Sequence, residues 1–397
     1  MLRVKFPTKH HFTVSIFGCQ YHAESPSPAR LGLLRDFETL VRDGAVHVEE
    51  YEQNDLPSKI WMSYWASPQT FKAWWDSAAV ARFWAALPDD AGFWRETVSL
   101  PATRAMYETG SVARLSGFGH VGEPVPLTEK VGYWGAYRDR LTPETPGDKF
   151  PSPLVSHPVP RPLTREVRAG RYQVKRFPDN ICYVVEGQDY SKMGDDERDY
   201  WNQHFDGLAK QWITNVVRGG PEQGLVSARA CHGFTSGKIP GSTKGANGHV
   251  TNGHATNGDG EGDGSSPSNQ TTIPQQSTNS PSIFPGLDYV RQTQILFWVD
   301  MSAMERMGRH DKVHVKLRRD FMKAYSPGGD MENGELVLWV DLGILKANEI
   351  DAEYVGCYDG TGFLAYDDHD SFSCERVDQS SLPSFFDKPV ESHPRIW

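Results

Sequence analysis

Two imidazoles at helical spacing are the side chains of this chain best placed to do chemistry. His310 and His314 lie in Ser302–Tyr325, SAMERMGRHDKVHVKLRRDFMKAY, whose apolar positions include Met304, Met307, Leu317 and Phe321. Met307, His310, His314, Leu317 and Phe321 step by 3, 4, 3 and 4, the period of one helix face. Arg306, Arg309, Lys312, Lys316, Arg319 and Lys323 fall on the other face. The pattern predicts one continuous basic amphipathic helix. An imidazole on its buried side needs a partner there, because an unpaired buried polar group is costly. A side chain, a water or a metal would serve, and either histidine taken alone reads first as an ordinary core residue.

Other chemistries find less support. Cys19, Cys182, Cys231, Cys357 and Cys374 form no CxxC pair and are odd in number. That pattern argues for reduced thiols in an intracellular, cytoplasmic protein, against a disulfide framework or a zinc site. Cys182, Cys231 and Cys357 sit in strand patterns as core thiols, and Cys19 keeps a thiolate ligand role open. GHVGEP at Gly119 and the Asp43-Gly44 and Asp359-Gly360 pairs are turn chemistry, since no GxxxxGK or GxGxxG follows a strand. A net charge of −10 argues against nucleic acid as partner. No apolar run reaches membrane-spanning length, so no membrane association is expected.

The elements that must position these groups repeat once. In the first hundred residues His11–Tyr21, Val46–Glu52, Lys59–Trp65 and Phe93–Leu100 read as strands, with helices at Ala29–Arg42 and Pro68–Leu87. Ser67-Pro68 supplies a cap followed by proline at the first helical position. After a Pro-rich connection, Leu141–Leu163, the order returns. Strands are predicted at Asn180–Tyr190, Leu225–Phe234, Gln292–Asp300 and Glu335–Leu345, with helices at Asp195–Val217 and over the histidine stretch. Each half is βαββαβ, the ferredoxin-like order. The expected fold is α+β: two fused ferredoxin-like repeats in a dimeric-α/β-barrel-like body, with a cavity between sheet and helices. The first repeat would span residues 1–130 and the second 131–235 plus 283–366, with a C-terminal tail at 367–397. Inserted in the second repeat, Ser236–Ser282 repeats Asn-Gly-His and has almost no large apolar residues, so disorder is expected there. His249 and His254, inside it, read as solvated.

Several strings, in this order and spacing, carry a resemblance. They are FGCQY at Phe17–Tyr21, YWASPQTFKAWW, GFWRE at Gly92–Glu96, YWGAYRDR at Tyr133–Arg140, NICYVVEGQDY at Asn180–Tyr190 and EYVGCYDGTGFL at Glu353–Leu364. The chain resembles the haem-containing aldoxime dehydratases of the phenylacetaldoxime dehydratase type over nearly its whole length, as a divergent member. The resemblance implies an intracellular haem b protein. Its relatives bind RCH=N–OH through nitrogen to ferrous iron and release water, leaving a nitrile. The family's proximal histidine lies in a string like ERWAxSHPTHVxxF, which ERMGRHDKVHVKL at Glu305–Leu317 resembles. The second family histidine falls on His314, the expected axial ligand of the iron. The first falls one residue from His310, the runner-up.

The opposite wall departs from the family. Arg138 or Arg140 matches the arginine of the YWGxMRDR string, and would meet the oxime oxygen or a propionate unless paired with a carboxylate. The serine of the family's IRSGQDW-like string is replaced by Glu186. The distal histidine of an LRLYHEVSV-like strand is replaced by Val340, which is followed by Asp341. Leaving-group protonation needs a donor near the oxime oxygen. Valine has none, whereas Glu186 could act if burial keeps it protonated. Asp341 belongs to the other face of the strand. The expectation is therefore a haem b lyase of specialised metabolism acting on a small N–O substrate, with Glu186, Arg138 and Arg140 catalytic. The alternatives are a haem enzyme of the same fold with another N–O substrate, or a non-catalytic haem-binding protein. A homodimer is left open.

Overall fold

The computed structural model describes residues 1–7, 9–53, 55–130, 135–239 and 285–377. Of the predicted low-complexity stretch 236–282, residues 240–282 with His249 and His254 lie outside the described residues, as do Tyr133, Trp134 and the part of the predicted tail 367–397 beyond 377.

In the first half, strands β1 (Leu2–Lys5) and β2 (His11–Gln20) precede helix α1 (Pro28–Gly44). Strands β3 (His47–Gln53) and β4 (Ser58–Trp65), helices α2 (Pro68–Trp75) and α3 (Ala78–Ala85), and strands β5 (Phe93–Pro101), β6 (Ala105–Thr109) and β7 (Glu123–Pro126) follow. The second half contains β8 (Arg171–Val174), β9 (Ile181–Asp189), α4 (Asp195–His204), α5 (Asp206–Arg218), β10 (Leu225–Gly233) and β11 (Arg291–Trp298). It continues with α6 (Met301–His310), α7 (Lys312–Tyr325), β12 (Val337–Leu345), β13 (Ile350–Val355) and β14 (Cys374–Val377). The strands form one antiparallel sheet in the order β14-β8-β13-β5-β2-β4-β3-β10-β11-β9-β12-β6-β1-β7. The fold is thus mixed α and β around a large antiparallel sheet.

Three predicted helices are each two helices, and each break has a local cause. Pro68–Leu87 is interrupted at Asp76–Ser77, where Asp76 ends α2 and Ser77, with extended backbone, begins α3. Asp195–Val217 is interrupted at Phe205, whose ring packs into an aromatic cluster with Trp201 and Phe321. The histidine stretch breaks at Asp311, which has extended backbone (φ −71°, ψ 116°) and accepts at Oδ1 from the His314 backbone N–H at 2.8 Å. A short acidic side chain competes for backbone donors and so favours a helix start over a helix interior.

Packing follows the pleat. One face of β2 and β4 sends Val14, Ile16, Ile60 and Met62 into a core shared with Tyr183, Val185 and Phe297 of the second half. The other face of β2 and β4 places Phe17, Cys19 and Trp61 under α1, α2 and α3, with Phe37, Trp74 and Trp84. Cys19 lies here, its thiol donating to Ala91 O at 3.7 Å, and burial pushes its pKa up to about 12. It is an inert core thiol. The second half covers its outer face with α4 to α7, where Trp201, Phe205, Leu317 and Phe321 pack together.

The halves are also tied across the shared core. Arg229 on β10 donates twice to Glu96 on β5, at 2.6 and 2.8 Å, and Tyr354 Oη on β13 donates to the same carboxylate at 2.6 Å.

Candidate active site

A cavity lies between the outer face of the second-half strands and helices α5, α6 and α7. Val184, Leu296 and Trp298 form its floor, and Trp212, Val216, Met304, Gly308, His314, Arg318 and Met322 come from the helices. The rim includes Glu108, Tyr137 and Arg140, and Glu186 stands on the sheet side.

His314 is fixed on two sides. Its Nδ1 is 2.6 Å from the Gly308 carbonyl, so the tautomer that satisfies this bond has the proton on Nδ1 and the lone pair on Nε2. Its ring stacks on Trp212, centroids 4.1 Å apart at 20°. Burial lowers its pKa below the ordinary imidazole value, which keeps it neutral. Donation of the second ring N–H to a carbonyl is the usual arrangement of a metal-ligating histidine. The helix breaks at Asp311, so the regular stripe is interrupted: Met304 faces this cavity, while Leu317 and Phe321 pack in the cluster with Trp201 and Phe205. His310 ends α6 as an exposed residue and does not line the cavity, so the stripe argument that paired it with His314 does not hold.

The sheet side is a row of residues in register. Glu108 on β6 faces Val340 on β12, Val340 faces Glu186 on β9, and Glu186 faces Gln294 on β11. Successive side chains on a strand alternate faces, so all four belong to the cavity side. Asp341 points into the shared core instead, accepting from the Phe118 backbone N–H at 2.9 Å. Among the described residues the Glu186 carboxylate makes no hydrogen bond or ion pair. Burial alone raises its pKa to about 7. A carboxyl at that value can be present as acid or as base near neutral pH.

The two arginines separate. Arg138 does not line the cavity: its guanidinium grips Glu305, at 3.0 and 3.2 Å, and reaches Ser302 Oγ at 3.3 Å. The carboxylate pairing is therefore its observed state. Arg140 does line the cavity and is paired with Glu108, whose pKa burial raises despite the arginine. Sequence reasoning missed Glu108, because β6 was not recognised as a strand. It also missed Arg318, although a residue four after His314 shares its helix face.

The lining suits a large apolar macrocycle bearing carboxylates. Its walls are Val184, Val216, Leu296, Met304 and Met322, and Arg140 and Arg318 supply cations. Trp298 Nε1 and Arg140 Nε are buried with no hydrogen-bond partner among the described residues. Such orphaned donors are rare without a ligand or water to meet them. Outside the lining of this cavity, His47, Glu49 and His120 bring ligating atoms within 4.8 Å of one another. There Arg291 and the hydroxyls of Tyr51 and Tyr64 already donate to Glu49, at 3.1, 2.8 and 3.2 Å, which balances its charge without a metal.

Residues 15–363 match the haem-containing dehydratase family, and the chain belongs to it. Haem is therefore its cofactor, and as a dehydratase it is a lyase. The phenylacetaldoxime dehydratase of Bacillus sp. (strain OxB-1) is 24% identical over 370 residues, covering 91% of this chain and 90% of that protein. The aliphatic aldoxime dehydratase of Rhodococcus globerulus is 22% identical, covering 90% of this chain and 87% of the relative. A crystal structure of an aldoxime dehydratase with butyraldoxime shares the fold at a TM-score of 0.67 and 19% identity, over 91% of this chain and 88% of that one. No helix among the described residues is long and apolar enough to cross a membrane.

Proposed function

We propose that this chain dehydrates aldoximes to nitriles, with Glu186 as the proton donor and His314 as the residue that would hold the iron of haem b. The observation that carries the reading is the pairing, in one cavity, of a tautomer-fixed neutral imidazole with a carboxyl that has no partner of its own. Ferrous haem, when bound, would supply a Lewis-acidic metal that polarises the N–O bond. Glu186 gives its proton to the hydroxyl oxygen. The N–O bond breaks with its electron pair going to oxygen, which leaves as water. The aldoxime C–H proton then returns to the Glu186 carboxylate, so protons balance over the cycle. Arg140 orients the N–O oxygen from the rim, and Arg138 fixes Glu305 instead of substrate. The relatives' names support the substrate class.

The finer architecture we infer is two fused ferredoxin-like repeats forming a barrel-like body. The strand orders β5-β2-β4-β3 and β12-β9-β11-β10, each fourth-first-third-second among its own four strands, support this. Five free cysteines support a reducing, cytoplasmic setting. Val340, between two glutamates where the family pattern has a histidine, favours one second reading: another N–O substrate on the same scaffold.

The test is spectral and kinetic. The protein should show a Soret band that His314→Ala abolishes or shifts, and an unchanged haem spectrum in that variant would remove His314 as ligand. Glu186→Gln should keep the haem and lose about 10²- to 10⁴-fold in turnover of phenylacetaldoxime or butyraldoxime. Full activity in that variant excludes Glu186 as the acid. Oxime binding without nitrile formation by the parent enzyme would favour the second reading.

A further inference from the structure

Next to Glu186 stands a second polar side chain without a partner. Gln294 on β11 is in register with Glu186 on β9, with no irregularity in that pairing. It shares a face with Leu296 and Trp298, both in the cavity floor. Its residue exposure is only 3%, and Nε2 has no hydrogen-bond partner among the described residues. A buried amide donor without an acceptor is uncommon in a folded protein, and each instance calls for a partner. The neighbour able to accept is close: Cβ atoms of directly opposed residues in an antiparallel pair lie about 4.5–5.5 Å apart, within reach of two side chains of this length.

We propose that Gln294 is the positioning residue for Glu186: a side-chain rotation that brings its Nε2–H onto one carboxyl oxygen holds the other toward the N–O oxygen of the substrate. This rests on Glu186 being the proton donor. Gln294 does not itself line the cavity and touches no substrate. Its role is to choose the carboxyl's orientation and, by favouring the charged form, to keep its proton affinity from rising further in the apolar surroundings. The other titratable groups around the cavity are the Met1 α-amino group, Glu108, Tyr137, Arg140, Glu305, His314 and Arg318. None of them makes a hydrogen bond or ion pair to the Glu186 carboxylate among the described residues, so the amide is the local donor left to set it.

The experiment is the pH profile of kcat/KM for butyraldoxime with the haem-loaded enzyme. An acid that must be protonated gives a limb that falls as pH rises through its pKa. Gln294→Met, which keeps the length and removes the donor, should move that limb upward by about one pH unit, a tenfold change in proton affinity, with the haem spectrum unchanged. Gln294→Asn, which retains an amide on a shorter stem, should move it less. In a Glu186→Gln background, Gln294→Met should change neither limb nor rate further, because the pair acts as one unit. If Glu186→Gln removes the limb and Gln294→Met leaves it at the parent position, the positioning role is overturned while Glu186 keeps its own. If Glu186→Gln leaves the limb in place, the proton-donor reading fails first. Should Gln294→Met lose haem, Gln294→Leu is read in the same way, and a parental limb in whichever variant retains haem overturns the inference.

Discussion

Glu186 holds its proton by burial, with no partner to stabilise its charge, and this has a consequence for stability as well as for catalysis. With the folded pKa at about 7 and the ordinary value at 4.5, the folded state binds more protons than the unfolded chain between those pH values. Stability then falls as pH rises through that window. Above it the parent carries a buried ionised carboxylate, a cost that glutamine does not have. Glu186→Gln should accordingly raise the thermal midpoint more at pH 8 than at pH 5, compared at equal haem content. An equal shift at both would mean that water reaches the carboxyl freely. At this scale the sequence was partly legible. The substitution of Glu186 for a serine and Val340 for a histidine can be read from strings alone. That Glu186, Val340, Glu108 and Gln294 form one row depends on the register of four strands from distant parts of the chain, which no local pattern encodes. The same holds for Arg138 and Arg140, two residues apart, whose different partners are set by Glu305 and Glu108.

Among the elements, the break between α6 and α7 decides what His314 can do. A single straight helix would carry His310 and His314 on one face. The turn at Asp311 exposes His310 and brings the Gly308 carbonyl onto His314 Nδ1. Asp311 secures that turn twice, by accepting from the His314 backbone N–H at 2.8 Å and from Asn215 Nδ2 of α5 at 2.7 Å. Asp311→Ala should cost about 1 kcal/mol, the usual size of a lost N-cap, and should speed haem loss, because the ring is no longer held. Asp311→Asn should retain most of both. Urea unfolding and haem transfer to apomyoglobin measure the two effects, and an unchanged transfer rate in the alanine variant would separate the cap from the ligand. The eight strands and the amphipathic runs of both halves were visible as alternation, aromatic stripes and caps. The helix breaks were not, since Asp76-Ser77, Phe205 and Asp311 interrupt runs whose periodicity continues on either side. Short strands such as β1, β6, β7, β8 and β14 also escaped, each being too brief to show a period.

Across the whole molecule the two halves trade strands. The first half's β6, β1 and β7 extend the sheet beyond β12, and β13, β8 and β14 of the second half extend it beyond β5. The Glu96, Arg229 and Tyr354 cluster joins the halves through the shared core. Removing one member leaves an uncompensated buried charge, so Glu96→Ala should cost about 3–5 kcal/mol. Glu96→Gln combined with Arg229→Met should recover much of that loss in chemical denaturation; equal losses in both variants would show that packing, not charge, is what the cluster supplies. The trade of strands also sets a schedule for synthesis. About 230 residues separate the end of β6 at Thr109 from its partner β12 at Val337. At roughly 5–20 residues per second, β6 waits about 10–50 seconds on the ribosome with one edge open, and an open strand edge is a template for pairing with other chains. Yield in a heterologous host should therefore depend on how quickly the second half is translated and on the chaperones that shield that edge meanwhile.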